Sequence, residues 1–199
     1  MTTKIIGIGD AGCEFVFWMH RLNRKQSYET IAFNTYPQYQ PSMSVADSFY
    51  LLGDGGGTGG NPMVGRQIGE ANKDLFFNLL NGADRLILTA GMGGGLGTGA
   101  SHVIAYVARE MRIPCVAVVS MPFDFEGTQR QQLAQLGVKS IEKFTEQVIA
   151  LDATFIAQQA EASHQSRFVN LSIAMSDYYA TLKQAVIQQI RLHLNANSL

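Results

Sequence analysis

Residues 85–100, RLILTAGMGGGLGTGA, decide the reading of this chain. Arg85–Thr89 has the character of a short buried strand, and from about Thr98 to Met111 apolar residues return at helical spacing. Between the two, Gly93–Gly99 places five glycines in seven residues. Glycine lets successive backbone N–H groups converge without Cβ interference, and the N-terminus of the following helix adds a partial positive charge, so the segment suits a polyphosphate. The Thr98 hydroxyl can cap the helix, donate to a phosphate, or do both. A glycine run that merely permits a tight turn and close packing is the simpler alternative. It loses weight here because two further glycine loops fall at the same edge of the fold.

Working outward, strand, turn and helix recur at the N-terminus: Lys4–Ile8, then Gly9-Asp10-Ala11-Gly12, then Phe15, Val16, Met19 and Leu22 at helical spacing. A strand Thr30–Asn34 leads into an irregular region from Thr35 to about Pro62, which carries Pro37, Pro41 and glycines and is long enough to expect a functional loop. A helix from about Val64 to Leu80 precedes the Arg85–Thr89 strand. Strand Cys115–Ser120, a helix from about Thr128 to Glu146, strand Val148–Leu151 and a short helix follow. This alternation predicts an α/β fold, a doubly wound, Rossmann-like parallel sheet with helices on both faces. Met175, Tyr179, Leu182, Val186, Ile190 and Leu194, at steps of three and four, form one stripe of a long final helix that needs a surface to lie on. The expected organisation is a nucleotide-binding domain over 1–170 and a C-terminal helix over 171–199, with no second domain.

Composition narrows the function. The chain has 199 residues, 46% of them apolar, and 15 basic against 16 acidic side chains, so a sizeable core is available and a basic nucleic-acid groove is not expected. Apolar runs such as Cys115–Val119 are too short to span a bilayer and no leader segment is evident, so the expected location is cytoplasmic. Cys13 and Cys115 stand apart without a CxxC partner, and His20, His102, His164 and His193 lack metal-ligand spacing, so no metal site is expected. Gly7–Gly12 also fits the dinucleotide fingerprint GxGxxG. The acid that should end the second strand is missing from Asn34-Thr35-Tyr36, which disfavours a dinucleotide-dependent oxidoreductase.

With these residues in view, Thr89–Ala100 closely resembles the signature loop of the FtsZ/tubulin family. Gly57–Gly65 resembles that family's third nucleotide loop and Pro122–Arg130 its fifth; with Lys4–Gly12 and Ala32–Thr35, the resemblance runs in order over about residues 3 to 151. It implies GTP or GDP, with or without Mg, as the bound cofactor. By position, Gly93, Gly94, Gly95, Gly97, Thr98 and Gly99 would wrap the phosphates, with Gly9 and Gly12 beside them, and Gly59, Gly60 and Asn61 would approach the γ-phosphate end. Glu126 and Arg130 would hold the ribose and nearby phosphate; a solvated i,i+4 pair is the plain alternative. Asn34, Pro122 and Asp177, the last as an acid able to recognise guanine, complete the implied set.

The chain also departs from the family pattern. The family's first loop is nearly all glycine and ends in a base-reading Asn, where this chain has Asp10, Ala11, Cys13 and finally Glu14; Leu96 replaces a Thr, Asp152 an Asn, and Ile173 the aromatic residue that stacks on the base. A carboxylate beside polyphosphate is repulsive, although Glu14 or Asp177 can accept from guanine N1–H and its exocyclic amine. In this family a loop of the next subunit's second domain supplies acids for hydrolysis, and no Asp or Glu follows Asp177 here. The resemblance therefore implies little or no autonomous hydrolysis. The expected role is a guanine-nucleotide-binding modulator or cap of FtsZ-type filaments in cell division, partnered by a full-length FtsZ-like protein or by itself. The alternative is a degenerate adaptor that binds no nucleotide and acts through protein contacts.

Overall fold

The computed structural model describes residues 2–23, 27–37, 46–163 and 171–195; within the helices, the side chains of residues 160–163 and 171–178 lie outside the described set. Six strands, β1 (Thr3–Ile8), β2 (Glu29–Asn34), β3 (Ser48–Leu51), β4 (Arg85–Gly91), β5 (Cys115–Ser120) and β6 (Gln147–Leu151), form one sheet in the order β3-β2-β1-β4-β5-β6. Every neighbouring pair is parallel, with Ile6 opposite Ile31 on one side and Leu88 on the other. The reversal of direction beside β1 sets β1 and β4 at the centre, where a doubly wound sheet opens a crevice at the carboxyl ends of its strands.

Alternation of side chains divides the core in two. Ile6, Ile8, Phe33, Leu86, Leu88 and Val119 point to one face, covered by α2 (Pro62–Ala71), α3 (Lys73–Leu80), α4 (Leu96–Glu110) and α5 (Thr128–Ile141). Ile5, Ala32, Ile87, Val116 and Val118 point to the other, covered by α1 (Gly9–Leu22), α6 (Ala153–Ser163) and α7 (Leu171–Asn195). Strands apolar on both faces are what an all-parallel sheet requires. Leu182, Val186 and Ile190 of the α7 stripe are buried against this second face, which is the surface the stripe needs. Met175 of that stripe lies outside the described side chains, whereas Tyr179 is 46% exposed.

Three expectations need correction. The region from Thr35 to Pro62 contains an edge strand, β3, paired with Ile31–Asn34 of β2. Its start is fixed by Asp47, whose carboxylate accepts from both the Thr30 backbone N–H and the Thr30 hydroxyl at 2.7 Å. The helix read over Val64–Leu80 is two helices, α2 and α3, broken at Asn72, whose amide Nδ2 donates to the Ile68 carbonyl at 2.8 Å. The α5 helix also stops at Ile141, short of Glu146.

Candidate functional site

A cavity of about 780 Å³ opens at the carboxyl edge of β1, β4 and β5. Its floor is formed where two helices begin. The α1 helix starts at Gly9, directly after β1, and the α4 helix starts at Leu96, after the glycine loop. Gly9 has φ +75°, and a Cβ there would lie 3.1 Å from the Gly97 nitrogen, so the two helix N-termini converge on one spot. The first turn of a helix carries N–H groups without intrahelical partners and the positive end of the helix dipole, so two N-termini brought to one spot attract an anion.

The expected residues divide by position. Gly9, Asn34, Gly60, Gly94, Gly95, Gly97, Pro122, Glu126 and Arg130 line the cavity. Gly12 faces away from it; a Cβ at Gly12 would lie 2.6 Å from the Thr89 carbonyl oxygen, so this glycine seats α1 on the sheet. Thr98 is buried and its hydroxyl accepts from the Gly93 N–H at 2.8 Å, closing the loop on itself. Gly93 has φ +89° and lies beneath Arg130, and Gly99 packs its Cα against Pro62, Gly65 and Arg66 of α2. Asn61 caps α2, accepting from the Met63 N–H at 2.9 Å. Gly59 and Gly60, with φ +56° and +74°, have open space where a Cβ would stand. The side chain of Asp177 lies outside the described residues.

Thus the loop's two readings coexist. A Cβ on Gly93, Gly95, Gly97 or Gly99 would meet neighbouring atoms, whereas Gly94 alone of the five opens to free space within the cavity.

The polar groups are held by one another. Asn34 is buried; its Nδ2 donates to Asp10 Oδ1 at 2.9 Å, and its Oδ1 accepts from the Thr35 N–H at 2.7 Å. Glu126 Oε1 accepts from the Phe123 N–H at 2.8 Å, and its Oε2 lies 3.1 Å from Arg130 Nε. Burial holds the Tyr179 phenol above its usual pKa, with Glu126 reinforcing that shift and Arg130 opposing it, so Tyr179 sits near this pair. The α7 residues Tyr179, Ala180, Leu182 and Lys183 complete the wall; of these, sequence reasoning missed Ala180 and Lys183 and took Tyr179 and Leu182 as core stripe. Their i, i+4 spacing was the available signal. Among the described residues, no group of three or more His, Cys, Asp or Glu is placed to hold a metal.

A six-stranded parallel sheet in this order, with a glycine-loop cavity at its carboxyl edge, defines the doubly wound α/β class. The chain belongs to the tubulin/FtsZ family, whose GTPase domain matches residues 2–161. It is 38% identical over 151 residues to the cell division protein FtsZ of Buchnera aphidicola subsp. Acyrthosiphon pisum (strain APS), covering 74% of this chain and 39% of that protein. The cell division protein FtsZ of Pseudomonas aeruginosa is likewise 38% identical over 151 residues, covering 74% and 38%. Among solved structures, an empty FtsZ dimer from M. jannaschii superposes with a TM-score of 0.80 at 25% identity, covering 94% of this chain and 53% of that one. The chain therefore spans about two fifths of the length of these curated relatives. None of these likenesses favours an oxidoreductase or a nucleotide-free adaptor.

Proposed function

We propose that this chain binds GTP or GDP in the cavity at the carboxyl edge of its sheet. The observation that carries this reading is the convergence of the α1 and α4 N-termini on one cavity that Gly9, Gly94, Gly95 and Gly97 help to line. Gly9, Gly94, Gly95 and Gly97 present N–H groups to the phosphates, Gly59 and Gly60 leave room at the far phosphate end, and Arg130 supplies the guanidinium. The chemistry fits a polyphosphate except at Asp10, whose carboxylate a divalent cation accompanying the phosphates would neutralise. The membership of a GTPase-domain family makes guanine the base of choice.

Among the described residues, each carboxylate that lines the cavity has a partner. Asp10 accepts from Asn34, Glu14 from Trp18 and Lys183, and Glu126 from the Phe123 N–H and Arg130. Phosphoryl transfer depends on positioning the attacking water, and the acids that the family resemblance assigns to that task come from a second domain of the next subunit. The 199-residue chain by itself therefore holds nucleotide with little turnover, and it modulates or caps filaments of a complete FtsZ-like partner. Chromatography of the nucleotide released on denaturing the purified protein tests the first statement: guanine nucleotide supports it, and adenine nucleotide or none at all refutes it. Light scattering of FtsZ assembly tests the second, which fails if extent and GTPase rate stay constant over a wide ratio range.

A further inference from the structure

A second cavity, of about 380 Å³, lies at the amino edge of the sheet, where β5 and β6 begin and α4 and α5 end, opposite the edge that holds the first. Three cations line it: Arg109 in the last turn of α4, Arg112 just beyond that helix, and Lys143 just beyond α5. Glu146 is the one carboxylate among the lining residues, so cations outnumber acids three to one. Among the described residues, none of the three cations has a carboxylate within ion-pair distance.

Cations at a helix C-terminus have a plain use, since they oppose the negative end of the helix dipole. Arg109 fits that use: its Nη1 donates to the Lys143 carbonyl at 2.8 Å, and its guanidinium lies 5.7 Å from the centre of the Phe144 ring, which fixes one cation in the pocket wall. Arg112 does not. Its backbone N–H donates to the Arg109 carbonyl at 3.0 Å, and the Ile113 N–H donates to the Ala108 carbonyl at 2.8 Å. This pair of bonds closes a helix through one residue in the left-handed region, where glycine is the usual choice. Arg112 has φ +57°, and among the described residues no other non-glycine residue has a positive φ. An L side chain there crowds the following carbonyl. The Ala108 and Arg109 carbonyls are already satisfied by backbone, and a cation elsewhere in the last turn would serve the dipole without strain, so neither use accounts for arginine at this position. What the position does is set a guanidinium at the pocket. Backbone strain of this kind gathers at binding sites. Guanidinium groups pair with phosphate and carboxylate through parallel N–H donors, and a pocket of this volume suits a small molecule.

We propose that the amino-edge pocket binds a small polyanion carrying phosphate or carboxylate groups, held by Arg109, Arg112 and Lys143. Glu146 opposes every such anion and limits the affinity.

Calorimetry with pyrophosphate and with citrate, at fixed ionic strength and with GDP in excess to occupy the first cavity, is run on the wild type, Arg112→Gly, Lys143→Gln and Glu146→Gln, and amide NMR of the wild type locates the site. The wild type binds one anion per chain, the tighter of the two identifying phosphate or carboxylate as the preferred group, and the amides of Arg112, Ile113 and Thr145 shift on titration. Arg112→Gly melts above the wild type, because glycine relieves the left-handed position, yet binds the anion about tenfold more weakly, the worth of one charged hydrogen bond. Lys143→Gln weakens binding by a similar factor with Tm unchanged, and Glu146→Gln strengthens it. A wild type that binds neither anion overturns the proposal, as do affinities that Arg112→Gly and Lys143→Gln leave unchanged, or amide shifts confined to Gly93–Gly99. An Arg112→Gly protein that melts below the wild type overturns the role given to Arg112. None of these outcomes requires that GDP bind, so their failure leaves the nucleotide reading in place.

Discussion

Alanine at Gly99 and alanine at Gly94 should separate the two uses of the glycine loop. Gly99 lies in α4 where it crosses α2, and a Cβ there would stand 2.6 Å from the Arg66 nitrogen and 2.8 Å from the Gly65 carbonyl carbon. Ordinary contact is about 3.5–4 Å. The obstructing atoms are backbone, so no side chain can swing aside and the two helices must part. Overpacking of this kind costs about 1–3 kcal/mol, set against a gain of about 1 kcal/mol from replacing glycine inside a helix. With rigid partners the balance falls near 2 kcal/mol of destabilisation, about 4–8 °C in Tm for a chain of this size. Gly94 has no atom within 4 Å of its would-be Cβ and an ordinary φ, so Gly94→Ala should leave Tm unchanged or raise it slightly. The new methyl enters the cavity, however, and nucleotide affinity should fall about tenfold or more. Thermal melts by circular dichroism and nucleotide titrations of both variants provide the assay. A Gly99→Ala protein as stable as wild type, or stabilised by the helix-propensity gain, refutes the packing argument. An undiminished affinity in Gly94→Ala refutes the assignment of that face to the phosphates.

Two further outcomes follow from the same geometry. Arg130→Ala should cost less than about 1 kcal/mol of stability, because its pair with Glu126 is half exposed, yet it should weaken nucleotide binding about tenfold, the worth of a charged hydrogen bond; paired urea melts and titrations decide. Burial pushes both thiols, Cys13 and Cys115, up to about 12, with Asp10 reinforcing the first and Glu146 the second. A raised thiol pKa means that the folded state stays protonated while the unfolded state ionises, so stability is complete below about pH 9 and declines from there toward pH 12. The slope is up to about 1.4 kcal/mol per pH unit for each thiol. Urea midpoints at pH 8 and pH 10 measure the decline, and the Cys13→Ala/Cys115→Ala variant should flatten it.

The central strands were plain in the sequence because Lys4–Ile8, Arg85–Thr89 and Cys115–Ser120 are apolar on both faces and bounded by turns. The β3 strand was not, because its four residues are partly exposed and its position depends on Asp47 reaching Thr30, a contact between segments 17 residues apart. The break at Asn72 was hidden by apolar spacing that continues through it from Ile68 to Phe76. Of the candidate site, the loops and the Glu126–Arg130 pair were legible because local spacing places them. Lys183 was not: its pairing with Glu14 spans 169 residues and exists only because α7 lies across the second face of the sheet. Reading every loop glycine as a phosphate contact also merged two demands, since Gly95 and Gly99 are required by neighbouring backbone and side chains as much as by any ligand.

The most direct test of the account is calorimetric titration of the nucleotide-stripped 199-residue protein with GDP and GTP in Mg-containing buffer, with ATP and NAD as comparators. The account predicts saturable binding of one guanine nucleotide per chain and far weaker heats from ATP and NAD. Equal binding of ATP, or silence with all four ligands in a protein that still melts cooperatively, would contradict it.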